Sequence, residues 1–344
     1  MSVLSVQGEK ELQKAKRFWV SPYVLEPKES LGAHAVARPR GGLLLKVEFE
    51  KGLIGYGDIH PWTELGDLPV SKQRECLANN EPSALAYRSI ANAWDDASAR
   101  ARNESAFTDL EVPESHALFT DPTAFTSLDL ERVVIEKFQA LKFKVGRDLA
   151  NEKKALESFF GSRSPSPHKG LLRLRLDFNS KTDLDLVRDW LLSFSAELRL
   201  AIDFCEDPGE WSYENWQDLT VETGIPFAID RESSAVFSAD ALAPAGVILK
   251  PAAQDLSKFK NYSSTAFVTS YLDHPVGQMG AAFAAAKLAQ EMPVGICGLL
   301  SQSAYKANAY SERFPSRGPV FLPDLSDVGF GFTELLEKEN WQAV

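Results

Sequence analysis

The sequence lacks the cysteine patterns that staple small proteins or hold structural metal ions. Its three cysteines, Cys76, Cys205 and Cys297, stand far apart, and no CxxC motif or cysteine–histidine cluster occurs. Disulfide scaffolds and structural zinc sites need such clusters, so the sequence indicates neither. A few scattered cysteines are typical of a reducing compartment, and we therefore expect a cytoplasmic protein.

Long hydrophobic runs and an excess of basic charge are also missing. The longest apolar stretch, residues 280–289, is interrupted by Lys287 and is too short to cross a bilayer. Residues 1–16 are polar and mixed in charge, unlike a signal peptide. The net charge of −11 argues against nucleic acid as a partner. We expect no membrane partner either and, without an obvious extra apolar surface, a monomer.

What is present is a change of pattern along the chain. Two β-rich segments, 42–49 and 53–57, flank a Glu-Lys-Gly turn and predict a hairpin, and residues 71–102 predict helices. From about residue 130, short apolar strands, among them one at 198–204 and one near 294–296, alternate with helical stretches, which predicts an α/β domain with a parallel sheet. Seven or eight such units in fewer than about 200 residues favour a barrel over an open sheet.

Ionisable side chains stand at the ends of the successive strands. In chain order they are Lys142, Lys144, Asp177, Glu206, Asp230 and Lys250. By subtraction, the spacings from Lys144 onward are 33, 29, 24 and 20 residues, each about one strand–helix unit. Catalytic groups of parallel barrels come from the C-terminal ends of several strands. These six side chains should therefore meet at one mouth.

Charged and apolar side chains alternate within two of these strands. Both lysines share one face of Leu141–Val145, and Arg173, Arg175 and Asp177 share a face opposite three leucines. Because successive side chains of a strand point to opposite faces, the charged groups should point into the barrel. An unpaired charge there is costly, and pairing around a metal ion would remove that cost. For Arg173 the preferred interpretation is an ion pair at the base of the barrel.

Three converging carboxylates predict a hard cation between them. Oxygen ligands favour Mg²⁺, with Mn²⁺ also possible, over zinc. Flanking lysines suggest removal of a proton next to a carboxylate, with the metal and a second cation stabilising the enediolate. Only about 1 in 2,500 free lysines is neutral at pH 7, so a lysine base needs a lowered pKa. Lys142 and the metal can both lower the pKa of Lys144.

These positions resemble motifs of the enolase superfamily. Lys142-Phe-Lys144 resembles its KxK motif, and the strands that end at Asp177, Glu206 and Asp230 resemble its three metal-ligand strands. Residues 247–251 resemble its later lysine strand. The order and spacing, with Arg175 two residues before the first ligand, resemble the o-succinylbenzoate synthases in particular. The likeness covers about residues 130–300; before that it is carried mainly by residues 55–61, which match a mobile substrate loop.

The resemblance implies a modified (β/α)7β barrel with an N-terminal α+β capping domain. The implied boundaries are 1–115 for the capping domain, 116–318 for the barrel, and 319–344 for a segment that returns to the cap. It also implies a lyase of menaquinone biosynthesis that dehydrates 2-succinyl-6-hydroxy-2,4-cyclohexadiene-1-carboxylate to 2-succinylbenzoate.

The same resemblance implies a role for each candidate residue. Lys144 would remove the proton, Lys250 would stabilise the intermediate from the other face, and the proton on Lys144 would assist departure of hydroxide. Mg²⁺ on the three acids would bind the substrate carboxylate. The candidates for substrate binding are Arg175, Thr269, Ser270, Gly295 and Ile296, the last four at positions that hold the succinyl tail in the family.

Some residues depart from the family pattern or allow two interpretations. The third ligand strand continues as Asp230-Arg-Glu-Ser233, one residue longer than usual, and residues 271–275 replace the usual small polar residues. His60 fits an active-site loop or the protein surface, and His274 could contact substrate. Trp62 could cover the site or pack within the cap.

Two other functions stay open at this point. Lysines on opposite faces would equally suit a two-base racemase of N-succinylamino acids or a dipeptide epimerase. A barrel that binds a metal or an acidic ligand without turnover is the third possibility.

Overall fold

The computed structural model describes residues 14–31, 37–161, 172–237, 245–259 and 262–344. In chain order, the strands are β1 (Ala15–Leu25), β2 (Arg40–Phe49), β3 (Ile54–Ile59), β4 (Ala117–Phe119), β5 (Ala140–Lys144), β6 (Arg173–Asp177), β7 (Ile202–Glu206), β8 (Phe227–Ile229), β9 (Gly246–Leu249), β10 (Ala266–Val268), β11 (Ser316–Arg317), β12 (Val320–Phe321) and β13 (Gln342–Ala343). The helices are α1 (Val70–Ala78), α2 (Ala84–Arg100), α3 (Ser127–Ile135), α4 (Leu149–Phe160), α5 (Leu184–Leu192), α6 (Ala196–Ala201), α7 (Tyr213–Thr223), α8 (Pro275–Ala289), α9 (Ala309–Glu312) and α10 (Thr333–Glu337).

The N-terminal domain is built on an antiparallel sheet of order β13-β1-β2-β3. The predicted hairpin is present, with β2 paired to β3 across a turn that contains Lys51 and Gly52 at positive φ. Helix α2 lies against β3. Gly55 and Gly57 permit this close approach, because a side chain at either would overlap the backbone of α2. The C-terminal strand β13 pairs with β1 and completes this sheet.

The second domain is a curled parallel sheet of order β10-β9-β8-β7-β6-β5-β4. The segment that follows helix α8 closes it into a barrel. Gly295 and Gly298 donate backbone hydrogen bonds to β10, and Cys297 exchanges backbone hydrogen bonds with residues 114 and 116 beside β4. The expected α/β fold, a barrel with an N-terminal α+β domain, is confirmed. No helix among the described residues is long and apolar enough to cross a membrane.

Alternation along the strands separates an apolar outer layer from the barrel interior. Leu141, Phe143, Leu174 and Leu176 are fully buried in the core between the sheet and its helices. The opposite face carries a small apolar cluster, the floor of the barrel interior, that consists of Phe204, Ala228, Ile248 and Phe267. Above this floor stand the ionisable groups, as the strand parity predicted.

Three local predictions differ from the structure. The strand expected at 198–204 begins only at Ile202, because Ser195 caps a short helix of strong helix formers, α6, ahead of it. The strand expected near 294–296 is an irregular closing segment that contacts its neighbours through isolated bridges. Residues 55–61, expected to form a mobile loop, are largely the buried strand β3.

Candidate active site

The two lysines of β5 point into the barrel and are buried. The Lys142 ammonium donates to both carboxylate oxygens of Glu206, at 2.7 and 2.6 Å, and lies 2.9 Å from Asp177. The Lys144 ammonium is paired with Asp177. Parallel register places Lys144 beside Asp177 and Asp177 beside Glu206. The strand register thus brings two lysines and two acids into one buried cluster.

The opposite side of the mouth carries Lys250, which follows β9. Its ammonium is paired with Asp230, which follows β8. In the ring formed by the seven strands and the closing segment, β5 and β9 are four positions apart. Lys144 and Lys250 therefore face each other across the barrel, and the three acids fill the arc between them.

Hydrogen bonds fix the strand ends that carry these groups. Asp207 accepts the backbone N–H groups of Asp230 and Arg231 at 2.9 and 3.1 Å. Gln254 accepts the backbone N–H of Lys250 at 2.8 Å and donates to Ser233 at 2.6 Å. The longer Asp230–Ser233 segment is thereby tied to both neighbouring strand ends.

Burial and charge change the acid–base properties of the cluster. Burial lowers the pKa of Lys144; Asp177 opposes this shift and Lys142 adds to it. Burial would also lower the pKa of Lys142, but the surrounding carboxylates raise it above its usual value. Burial and the charge of Asp177 raise the pKa of Glu206 to about 8. Burial would raise the pKa of Asp177, yet the two lysines hold it well below its usual range.

The three predicted metal ligands are only partly brought together. Asp177 and Glu206 converge on the Lys142 ammonium, whereas Asp230 is paired with Lys250. Within the described parts of the chain, no three His, Cys, Asp or Glu side chains form a group able to hold one metal ion. In this structure, lysine ammonium groups supply the positive charge that the carboxylates require.

A cavity of about 640 Å³ lies between the barrel mouth and the N-terminal domain. Its charged lining consists of Arg38, Arg40, Glu64, Lys142, Lys144, Lys181, Asp230, Arg231 and Lys250. Seven of these nine side chains are cationic and two are acidic, although the whole protein has a charge of −11. The cavity is thus suited to an anionic ligand of small-molecule size.

The predicted substrate-binding residues fall into two groups. Thr269 and Ser270 line the cavity, and the Thr269 hydroxyl has no hydrogen-bond partner among the described residues. Gly295 and Ile296 are not in the cavity lining; a side chain on Gly295 would overlap Phe267 of the floor.

Arg175 also lies outside the cavity lining, in the lower layer of the barrel. Its guanidinium donates to Asp203 at 2.9 Å and to the carbonyl oxygen of Ile296 at 2.6 Å. It also lies over the rings of Phe204 and Phe267, at 4.6 and 4.8 Å from their centroids. These contacts hold Arg175 beneath the mouth, and its role in substrate binding stays a prediction.

The two histidines considered in the sequence lie away from the cavity lining. His60 is buried and not on the surface, and its Nδ1 lies 3.0 Å from the Tyr23 hydroxyl. His274 caps α8, and its Nδ1 accepts the N–H of Val276. Both side chains pack against Tyr23 where the two domains meet.

Sequence reasoning missed the wall of the cavity that the N-terminal domain provides. Trp62, for which two roles were open, lines this wall, and its indole donates to the Tyr271 carbonyl oxygen at 2.8 Å. Arg38, Arg40 and Glu64 lie beside it, and His116 contributes from below β4. The available signal was the basic cluster Arg38-Pro-Arg40, but no periodic pattern placed it at the mouth.

Comparisons with known proteins agree with this architecture. A family model described as "O-succinylbenzoate synthase, N-terminal domain" matches residues 18–99. A curated relative, the o-succinylbenzoate synthase of Bdellovibrio bacteriovorus, is 31% identical over 329 residues, which cover 93% of this chain and 96% of the relative.

Solved structures share the fold at low sequence identity. A dipeptide epimerase from Enterococcus faecalis has a TM-score of 0.71 and 14% identity, and covers 92% of this chain and 99% of its own. An N-succinyl Arg/Lys racemase from Bacillus cereus has a TM-score of 0.71 and 15% identity, and the match covers 96% of this chain and 100% of the racemase chain. A dipeptide epimerase from Cytophaga hutchinsonii, complexed with Mg and a dipeptide, has a TM-score of 0.70 and 14% identity. The match covers 96% of this chain and 99% of the epimerase chain.

Proposed function

Because this chain belongs to the o-succinylbenzoate synthase family, we propose that it is a lyase that dehydrates 2-succinyl-6-hydroxy-2,4-cyclohexadiene-1-carboxylate to 2-succinylbenzoate. The observation that carries the mechanism is the position of Lys144 and Lys250, which face each other across a cationic cavity. The substrate carries two carboxylates, so it fits the excess of positive charge in the lining. The product would feed menaquinone biosynthesis.

In the proposed reaction, neutral Lys144 takes the proton next to the ring carboxylate. The electrons of the broken C–H bond move into the ring and carboxylate, where the charge of Lys250 stabilises them from the opposite side. The C–O bond then breaks, the proton on Lys144 joins the departing hydroxide as water, and the ring becomes aromatic. One lysine acts twice, so proton removal and water loss occur on the same face.

We also propose that the site uses a divalent cation, with Mg²⁺ preferred and Mn²⁺ possible. The support is the donor chemistry, because Asp177, Glu206 and Asp230 offer only carboxylate oxygens. Asp177 and Glu206 already converge on one positive charge, the Lys142 ammonium. When bound, the ion would supply Lewis-acid stabilisation of the substrate carboxylate. Lys142 would act on Lys144 through its charge.

The test is turnover of the cyclohexadiene substrate with Mg²⁺, followed by loss of its diene absorbance. Lys144→Ala should abolish turnover, since no other group replaces the base, while circular dichroism shows an intact fold. Lys154→Ala, an exposed lysine of helix α4, is the matched control and should retain wild-type activity. Added chelator should also stop the reaction. Full activity of Lys144→Ala would refute the assigned base, whereas a wild-type protein that turns over neither the cyclohexadiene nor N-succinylamino acids would favour a barrel that only binds its ligand.

Racemisation is the second candidate function, because two lysines on opposite sides can each exchange a proton with one carbon atom. N-succinylamino acids are the substrates to test in deuterium oxide. Exchange of the α-hydrogen without dehydration of the cyclohexadiene would favour the racemase. Dehydration with slow or no exchange supports the synthase.

We propose a cytoplasmic monomer. The cysteines Cys76, Cys205 and Cys297 are free in the structure, which suits a reducing compartment. Light scattering of the purified protein would test the monomer.

A further inference from the structure

The wall of the cavity opposite the barrel contains a buried arginine, Arg40, that is stacked on an aromatic ring. The Arg40 side chain is 8% exposed, and its guanidinium lies over the Trp62 ring, 3.9 Å from the centroid. Its Nε–H is buried and has no hydrogen-bond partner among the described residues. A planar guanidinium held on an aromatic face is pre-organised for a two-pronged carboxylate contact.

The Trp62 platform beneath this arginine is fixed to the barrel. The Trp62 indole donates to the carbonyl oxygen of Tyr271 at 2.8 Å, and the Trp62 backbone N–H donates to Asp67 at 2.8 Å. The Tyr271 hydroxyl donates to the same Asp67 carboxylate at 3.1 Å. Arg40 is therefore held at a defined place relative to the strand end that carries Thr269 and Ser270.

In this structure the carboxylate that binds Arg40 is a side chain of the protein itself, Glu64. Glu64 accepts a hydrogen bond from Arg40 at 2.8 Å, and its other oxygen is paired with Arg38. Its side chain is 40% exposed and belongs to a one-turn segment, Thr63–Leu65, that ends at Gly66 with φ 98°. Although partial burial opposes the shift, Arg40 and Arg38 lower the pKa of Glu64 to about 2, so the group is an anion at neutral pH.

The two arginines and Glu64 line the same cavity as the barrel lysines. The Arg38 and Glu64 side chains are 56% and 40% exposed, so their ion pair contributes little to stability and Glu64 can exchange Arg38 for water at low cost. Arg40 is buried and retains its need for an acceptor. A ligand carboxylate that enters the cavity can satisfy both arginines while Glu64 turns to solvent.

We propose that Arg38 and Arg40 recognise the carboxylate at the far end of a dicarboxylate ligand, and that Glu64 is an internal carboxylate which the ligand must displace. This assignment rests on the proposed function for the identity of the ligand. The barrel lysines then bind the ring end and the arginines bind the tail end. Glu64 lowers affinity for every ligand with a tail carboxylate and leaves ligands without one unaffected.

The test compares two ligands that differ only at the tail. Calorimetry would measure binding of 2-succinylbenzoate and of 2-butanoylbenzoate, in which a methyl group replaces the tail carboxylate. The wild-type protein should prefer the dicarboxylate by about tenfold, as expected for charge-assisted hydrogen bonds. Arg40→Met should abolish that preference and retain 2-butanoylbenzoate binding. Glu64→Gln should increase the preference at least about threefold by removing the competitor.

Controls separate this assignment from misfolding and from the proposed reaction. Glu334→Gln loosens a matched exposed pair with Arg313 and should leave the preference unchanged. Should Arg40→Met not fold, Arg40→Lys keeps the charge but loses the fork, and should reduce the preference. An unchanged preference in the Arg40 variants, or an unchanged or smaller one in Glu64→Gln, would overturn the assignment. Since binding needs no turnover, the expected pattern without dehydration would refute only the reaction.

Discussion

Asp58 and Asp273 are two buried carboxyl groups that meet where the N-terminal domain contacts helix α8. Both lie close to Gly277, since a methyl group there would stand 2.6 Å from an oxygen of each. Asp58 accepts hydrogen bonds from the Tyr23 hydroxyl at 2.6 Å and the His274 N–H at 3.0 Å. Two adjacent carboxylates repel each other, and a proton on one of them removes the repulsion.

We expect this pair to make the protein less stable as the pH rises from about 4 to 7. Burial raises the pKa of Asp273 to about 7, whereas an unfolded aspartate has a pKa near 3.9. Between these values the folded state holds a proton that the unfolded state has released, so each rise in pH favours unfolding. Asp273→Asn removes this proton uptake and should gain roughly 2–4 kcal/mol relative to wild type between pH 4 and 8.

Urea unfolding of both proteins at pH 4 and pH 8 would measure this difference. Asp218→Asn changes an exposed aspartate of α7 and should follow the pH dependence of the wild type. Equal pH dependence in Asp273→Asn and wild type would show that Asp273 is ionised throughout.

Side chains at the barrel strands were predictable from the sequence, and side chains of the N-terminal domain that line the cavity were not. The alternation in Leu141–Val145 indicated that Lys142 and Lys144 point inward, because backbone geometry alone fixes that parity. Arg40 and Glu64 gave no such signal, since their place depends on how two domains meet. Arg175 has the parity of an inward residue, but its height on β6 puts it below the mouth, next to Phe204.

At the scale of elements, the contact between β3 and α2 depends on glycine. A methyl group on Gly55 would overlap the carbonyl oxygen of Ala93, which cannot move without disturbing α2. We expect Gly55→Ala to destabilise the protein by about 1–3 kcal/mol or more, the usual cost of overpacking. Thermal or urea unfolding would measure the loss.

Gly41→Ala is the matched control, because Gly41 lies in the same sheet and a methyl group there meets its neighbours at 3.7 Å or more. That variant should be close to wild type in stability. Similar losses in both variants would contradict the steric explanation and indicate a general intolerance of the sheet.

The order of the elements was predictable and their limits were less so. The Glu-Lys-Gly turn and its flanking β-rich segments gave the hairpin β2–β3, because both strand and turn have local signals. The helix α6 was hidden, since Leu198 and Leu200 alternate with polar residues and continue into Ile202 and Phe204 of β7 as one strand-like pattern. The sequence predicted a strand near 294–296, but the segment that closes the barrel makes too few consecutive pairings to form one.

At the scale of the whole molecule, a divalent ion would stabilise the folded protein that binds it. We expect Mg²⁺ to raise the thermal unfolding temperature and excess chelator to reverse the change. At a concentration 100 times the dissociation constant, the gain is about 2.7 kcal/mol. Asp177→Asn should remove most of the response, whereas Asp218→Asn should retain it. An unfolding temperature that does not respond to Mg²⁺ would contradict the proposed ion.

The alternation along β5 also links the accuracy of folding to the chemistry of the mouth. A shift of the β5 register by one residue would turn Phe143 and Val145 toward the substrate. It would also bury the amino groups of Lys142 and Lys144 in the apolar core between the sheet and its helices. Such a chain would lose its core and its base in the same step. A single inserted residue within β5 should therefore yield insoluble or degraded protein, and a stable but inert barrel should not be found among such insertions.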